Sequence, residues 1–255
     1  MSQYELKEAG NLQIKIFENR LKLGETAAAD AVCAINHLLN KKENINIIFA
    51  AAPSQNEFLS ALCRSKVDFK RINAFHMDEY AGLCEDDPGL FGNFLRRSIF
   101  EQVIFNNVYY INGNADPIAE EITRYTSLLK QYPPDIVFMG IGENGHIAFN
   151  DPHAAHFDDK QYARVVDLDE RCRAQQVNDR CFASLDEVPA RAITLTIPAL
   201  FFAKKLFCMV PGESKAWAVK ETVLGEIREH LPASILRMHP CATLFVDKDS
   251  GKHII

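Results

Sequence analysis

The stretch DIVFMGIGENGHIAFND, Asp135 to Asp151, decides how the rest of the chain is read. DIVFM is a continuous apolar run behind one acidic residue, the pattern of a parallel strand covered on both faces. The run through Gly142 is therefore predicted as a strand of an α/β sheet. GIGENGHIAFND (140–151) then stops that strand on Gly140, Gly142, Gly145 and His146. Glycine lets backbone approach a ligand closely, and ligands in open α/β sheets bind outside the carboxyl ends of the strands. The turn has two readings: an ordinary connection that needs glycine, or a mount that holds His146 in front of a substrate. Its spacing is not G-x-G-x-x-G, and no G-x-x-x-x-G-K-[ST] occurs, so nucleotide chemistry has no support.

Working outward, LQIKIFEN (12–19) reads as a short edge strand and Leu23–Asn40 as a helix with apolar residues at helical spacing. INIIFAA (45–51) is a second buried strand. SQNEFLSALC (54–63) begins a helix with Ser54 and Glu57 in capping-box spacing. INAFHMDEY (72–80) is a strand with its carboxylates at the C-terminal end. GLFGNFLRRSIFEQV (89–103) reads as helix, NVYYING (107–113) as strand, and 117–132 as an amphipathic helix opening on proline. Residues 151–189 read as loops with a helix near 169–177. Two strands around a short helix follow in 192–212, then a helix over 214–225 and a strand over 242–249. Alternating strands and helices predict a parallel or mixed sheet wrapped on both faces. There are no repeats and no Gly-, Pro- or Ser-rich linker, so residues 1–255 are expected to form a single domain.

The bulk numbers exclude several classes. Lys and Arg total 28 against 34 Asp and Glu, a net charge of −6 that argues against nucleic-acid binding. No apolar run approaches a membrane span, and MSQYELKEAG at the N-terminus is polar, without a signal region. The seven cysteines form no C-x-x-C pair, which predicts reduced thiols in a cytoplasmic protein. The sequence leaves a homo-oligomer open.

The strand-end rule brings HMDEY, GENGH and PGESK to one edge. Asp78 and Glu79 are adjacent, so on an extended segment only one faces a pocket unless the strand bends there. The facing one could act as a general base, and the plain alternative is a polar strand end. His76 and Asp78 are too few and too unlike to signal a metal site. Asn144 and Asp151 lie close enough in sequence to orient the His146 ring. Lys215 opens a helix after VPGES, where ammonium and backbone N–H groups would converge on a phosphate; otherwise it is a solvated lysine. Ser54 is a second phosphate candidate or a plain cap, and the pattern around Arg180 says nothing by itself.

Across nearly its whole length the chain resembles the glucosamine-6-phosphate deaminase (isomerase) family, which shares its fold with the 6-phosphogluconolactonases. The resemblance is carried by FHMDEYAGL (75–83), NFLRRSIF (93–100), GIGENGHIAFNDP (140–152), VPARAITLTIPAL (188–200) and VPGESKAWAVK (210–220). It implies a modified doubly wound, Rossmann-like α/β fold and acid–base chemistry on a hexosamine 6-phosphate with neither metal nor cofactor. On that resemblance His146 promotes opening of the sugar ring, and Asp78 moves a proton between C2 and C1. Water then attacks the ketose-level imine and ammonia leaves. Asn144 and Asp151 would hold the histidine. Ser54, Arg180 and Lys215 fall on phosphate-binding positions, with Glu79 and Gly145 beside the substrate.

Two of the chain's departures from the family pattern bear most on the reaction. AAAPSQ (50–55) stands where a glycine-bearing phosphate loop is expected, and Asn144 stands where an aspartate precedes Gly-His. These departures keep two further readings open: a lactonase or isomerase of another sugar phosphate, and a non-catalytic sugar-phosphate sensor.

Overall fold

The computed structural model describes residues 4–255, so the first three residues of the polar N-terminal stretch lie outside the described residues. In chain order, strands β1 (Glu5–Ala9) and β2 (Leu12–Phe17) lead into helix α1 (Arg20–Leu39), then β3 (Ile45–Phe49), α2 (Asn56–Cys63), β4 (Ile72–His76) and β5 (Asp78–Tyr80). Helix α3 (Phe91–Leu95), β6 (Asn107–Tyr109), α4 (Ile118–Gln131) and β7 (Ile136–Met139) follow. The remainder runs β8 (Ala163–Asp167), α5 (Glu170–Asn178), β9 (Arg191–Leu195), α6 (Ile197–Phe201), β10 (Lys205–Val210), α7 (Ala216–Leu224) and β11 (Ala242–Asp247).

Eight strands form one sheet in the order β1-β2-β11-β10-β7-β3-β4-β6, parallel except for the β1–β2 hairpin. Its central strands are apolar on both sides because both sides are covered. Ile47, Phe49, Phe138 and Met209 pack with α1 and α2, while Ile48, Val137, Met139 and Cys208 pack on the other face with α4, α6 and α7. This is the expected mostly parallel α/β fold with helices on both faces. Among the described residues, no helix is long and apolar enough to cross a membrane. The cysteines are all free thiols.

The sheet order fixes where a site can form. From β3 the chain proceeds to β4 on one side, and from β7 it proceeds to β10 on the other. The loops after these neighbouring strands diverge and leave a crevice at the switch point. Residues 50–54 and 140–142, with His146, border it.

Several elements differ from their sequence reading. β2 is not an edge strand, because β1 covers its outer side and β11 its inner side. Ser54 caps nothing: Pro53–Gln55 is a 3₁₀ turn, α2 starts at Asn56 without a side-chain cap, and Glu57 is drawn to Arg20. Residues 151–189 contain β8, which pairs with β9. The helix expected over 89–103 is only α3 followed by a π turn at Arg96–Phe100.

The strand expected over 72–80 breaks at Met77, and Tyr125 explains the break. Its hydroxyl donates to His76 O at 2.7 Å and accepts from His76 N at 3.1 Å, taking the place of a ladder partner. The chain then changes sheets: Met77 O accepts from Leu195 N at 2.8 Å, and β5 joins β9 and β8 in a second, antiparallel sheet. The His76 ring secures the bend, with Nδ1 2.8 Å from Asp78 O and Nε2 accepting from Ile111 N at 2.9 Å. Both ring nitrogens are thus committed to backbone, and no metal pairing with Asp78 is left to them.

Burial holds the His76 ring neutral, lowering its pKa to about 4. The unfolded chain therefore binds the extra proton first, and stability from this group is lost as pH falls from about 6.5 towards 4, on the order of 3 kcal/mol in all. Glu79, raised to about 7 by burial, acts in the opposite sense, since its contribution is lost as pH rises. A comparison of variants isolates the histidine. His76→Ala should cost about 2–4 kcal/mol at pH 7 by stranding buried backbone groups. The gap to wild type should narrow towards pH 4.5 in urea unfolding, and a gap that stays constant contradicts the assignment.

Candidate active site

His146 is presented by a turn that depends on glycine at positions 142 and 145. Gly142 N donates to His146 O at 2.9 Å, and Gly145 N donates to Gly142 O at 3.0 Å. The imidazole then lies against the Gly142 backbone, where a Cβ would meet ring atoms at 2.2–2.4 Å. Gly145 has φ +87°, and a Cβ there would strike Leu231 at 2.6 Å. Gly145 O accepts from Ala233 N at 2.9 Å, so its N–H closes the turn and its carbonyl ties the turn to the 3₁₀ segment Pro232–Met238. It is not among the residues that line the cleft, and its part there is to shape the turn next to His146.

Behind the ring sits Asp151, fully buried, with Oδ1 3.1 Å from His146 Nδ1. That is an ion-pair distance for a protonated ring, yet the contact falls outside hydrogen-bond geometry and leaves Nδ1 without a partner. Burial alone would raise the Asp151 carboxyl. The nearby imidazole and the Asn144 amide outweigh it and hold the group below the ordinary carboxylate range. Asn144 acts on Asp151 rather than on the ring. Its Nδ2 donates to Asp151 Oδ1 at 3.0 Å, and its Oδ1 accepts from His146 N at 3.0 Å. Asn144 thus holds the histidine through its backbone N–H and through Asp151.

Helix α5 braces this assembly from outside. Asp169, its N-cap, approaches Asn144 Nδ2 at 3.4 Å, and Gln175 Oε1 accepts from Glu143 N at 2.8 Å. Side chains that could hold a metal gather on the same carboxylate. The donor atoms of His146, Asp151 and Cys172 lie within 4.8 Å of one another, as do those of Asp151, His153 and Asp169. Burial, with the charges of Asp151 and Asp169, pushes the Cys172 thiol far up, so it stays protonated.

Asp78 reaches the cleft because the chain bends at Met77. Burial, and then the charge of Glu79, push its carboxyl well above the usual range, and among the described residues it has no hydrogen-bond partner. Thr194 sets its position relative to His146: it pairs with Asp78 in the β5–β9 ladder, and its hydroxyl accepts from Phe149 N at 3.1 Å. One residue thus ties the strand carrying Asp78 to the turn carrying His146.

The cleft is lined by Ser54, Asp78, His146 and Lys215 together with Met77 and Phe149. Lys215 is buried, and among the described residues its ammonium has no hydrogen bond or ion pair. Burial lowers its pKa, an effect partly offset by Asp179 and Glu143. An anion arriving there would meet an unpaired cation.

Two candidates lie elsewhere. Glu79 points the other way, accepting from Tyr80 N and Phe91 N at 2.9 Å and from Gly92 N at 2.8 Å, and so caps α3 instead of facing the cleft. Arg180 follows the end of α5 with φ +60°, is exposed, and lines a neighbouring groove beside Asp87 and Phe182. Sequence reasoning missed Arg20, Gln175, Gln176 and Asp179, which do line the cleft. None sits in a recognisable motif.

Residues 18–245 match the family model described as glucosamine-6-phosphate isomerases/6-phosphogluconolactonase. The chain belongs to this family. A glucosamine-6-phosphate deaminase of Bacillus cereus (strain B4264) is 34% identical over 230 residues, covering 90% of this chain and 86% of that protein. One from Streptococcus sanguinis (strain SK36) is 36% identical over 201 residues, 79% of this chain and 83% of the relative. Among solved structures, a monomeric glucosamine-6-phosphate deaminase superposes with a TM-score of 0.86 at 31% identity, covering 94% of this chain and 99% of that one. A 6-phosphogluconolactonase from Thermotoga maritima shares the fold at a TM-score of 0.74 and 19% identity, covering 92% and 99%. The mostly parallel sheet and its switch-point cleft are thus those of the glucosamine-6-phosphate isomerase/6-phosphogluconolactonase family.

Gly142→Ala should displace the His146 ring, because a methyl group cannot share its space. Gly140→Ala should disturb the ring far less, since its Cβ would find its nearest neighbours, none of them in His146, at 3.3–3.4 Å and would ask them to give only slightly. The His146 ring resonances in NMR should shift in the first variant and stay near wild type in the second. Equal responses would mean that the close approach at Gly142 does not set the ring.

Proposed function

We propose that this chain converts glucosamine 6-phosphate into fructose 6-phosphate and ammonia by acid–base catalysis. The observation that carries this reading is the meeting, in one cleft, of the unpaired Asp78 carboxylate, the His146 imidazole and the unpaired Lys215 ammonium. Lys215 and Ser54 receive the phosphate, which fixes the sugar with C1 and C2 towards Asp78 and His146. His146 moves a proton from the anomeric hydroxyl to the ring oxygen and opens the ring. Asp151, kept ionised, stabilises the imidazolium that forms on the way.

Asp78 then takes the proton from C2 of the open chain and returns it to C1, so the aldose becomes a ketose-level imine. Water adds to C2 of that imine and the nitrogen departs as ammonia. Burial of Asp78 suits this step, because a poorly hydrated carboxylate is a stronger base than an exposed one. The named relatives support the substrate, being glucosamine-6-phosphate deaminases at 34–36% identity.

Purified protein should release ammonia from glucosamine 6-phosphate. No release from any hexosamine 6-phosphate, with hydrolysis of 6-phosphogluconolactone instead, would overturn the reading in favour of a lactonase. Asp78→Asn should lower kcat by roughly 10³-fold with KM changed by less than about threefold.

Because Asp78 works as a base, kcat/KM should fall as pH drops through its raised pKa. The midpoint should lie above the ordinary aspartate value near 3.8. An acid limb at the ordinary carboxylate value would argue against Asp78 as the base.

A further inference from the structure

We propose that Arg20, in the first turn of α1, is a phosphate-binding residue of this cleft, standing over the glycine-free loop 50–54. The substrate named here rests on the reading above, but the anion site itself does not.

Of the loop's five residues, Ala51, Ala52 and Ser54 keep a free backbone N–H and two do not. Ala50 N is spent on Phe138 O at 2.9 Å and Gln55 N on Ala52 O at 2.9 Å, while Pro53 has no N–H to give. A guanidinium stands over the same loop. Arg20 Nη2 donates to Pro53 O at 3.0 Å and to Glu57 Oε2 at 2.9 Å, and Nε lies 2.7 Å from Glu57 Oε1. These contacts fix the plane of the group and use one edge of its donor fork. Among the described residues nothing occupies Nη1, so its two N–H groups remain available in a cleft that Arg20 shares with Ser54 and Lys215.

The backbone explains why the group sits there. At Gly24, one helical turn beyond Arg20, a Cβ would meet the Glu57 Cβ at 2.5 Å. Helices α1 and α2 therefore approach closely at that level, and Arg20 overhangs the start of α2. A phosphate dianion calls for more than one cation. Lys215 is buried in the cleft, whereas Arg180 lies outside it. Glu57 offsets part of the Arg20 charge, so the contribution is directional, through N–H groups that lysine could not aim the same way.

The competing account is an exposed ion pair between two helices, worth little and indifferent to ligand. Isothermal titration of the full-length protein with inorganic phosphate separates the two. Arg20→Gln should weaken phosphate binding roughly tenfold, with KM for glucosamine 6-phosphate rising in parallel. Arg20→Lys should fall between Arg20→Gln and wild type.

Glu57→Gln breaks the ion pair but keeps the guanidinium, so it should bind phosphate at least as tightly as wild type. The proposal is overturned if Arg20→Gln binds like wild type while Lys215→Gln does not, or if Glu57→Gln weakens binding as much as Arg20→Gln. It is equally overturned if wild type shows no saturable phosphate binding. Phosphate binding without ammonia release would instead refute the proposed reaction and leave this site standing.

Discussion

The site depends on the contact between the His146 ring and the bare backbone of Gly142. A Cβ at that position would lie 2.2–2.4 Å from the ring atoms, so the imidazole is held by the absence of a side chain. Much else serves this contact. The sheet order places the turn at the switch point between β3 and β7, where neighbouring loops diverge. Asp151 faces the far side of the ring, Asn144 aims Asp151, and α5 braces both through Asp169 and Gln175. Thr194 then relates the turn to Asp78, so two groups distant in sequence share one rigid frame.

The cleft is divided electrostatically. At one end burial raises the Asp78 carboxyl and the adjacent Glu79 charge adds to the effect, giving a base stronger than an exposed aspartate. At the other, Lys215 is an ammonium that burial makes less stable than usual and that no carboxylate neutralises directly. Both groups are costly to keep in the empty protein, and a phosphorylated sugar relieves one of those costs. On the proposed reaction, binding energy from the phosphate, remote from the reacting carbons, holds C1 and C2 against Asp78.

The central sheet was legible because its strands are continuous apolar runs buried on both faces, a pattern that needs no knowledge of partners. What escaped was decided by distant residues. Nothing in INAFHMDEY announces a break at Met77, since the hydroxyl that causes it belongs to Tyr125 on α4. β8 was hidden in a polar segment because its partner, β9, begins more than twenty residues later.

The site was legible where residue type and strand end coincide, as at Asp78, His146 and Lys215. The direction of a side chain was not legible. Glu79 turns to cap α3, Gly145 spends its N–H on the turn, Asn144 holds Asp151 and the His146 backbone N–H, and Arg180 leaves the helix in a left-handed conformation that carries it outside the cleft. Arg20 left no trace in sequence, because its place depends on how closely α1 and α2 approach at Gly24.

The central claim is that one buried carboxylate moves the C2 proton of a sugar held by its phosphate. The most direct test is the fate of deuterium in [2-²H]glucosamine 6-phosphate, followed by NMR of the products as ammonia is released. The account predicts that every turnover removes the label from C2, which then appears at C1 of fructose 6-phosphate or in solvent. Ammonia released with deuterium still attached to C2 would contradict it.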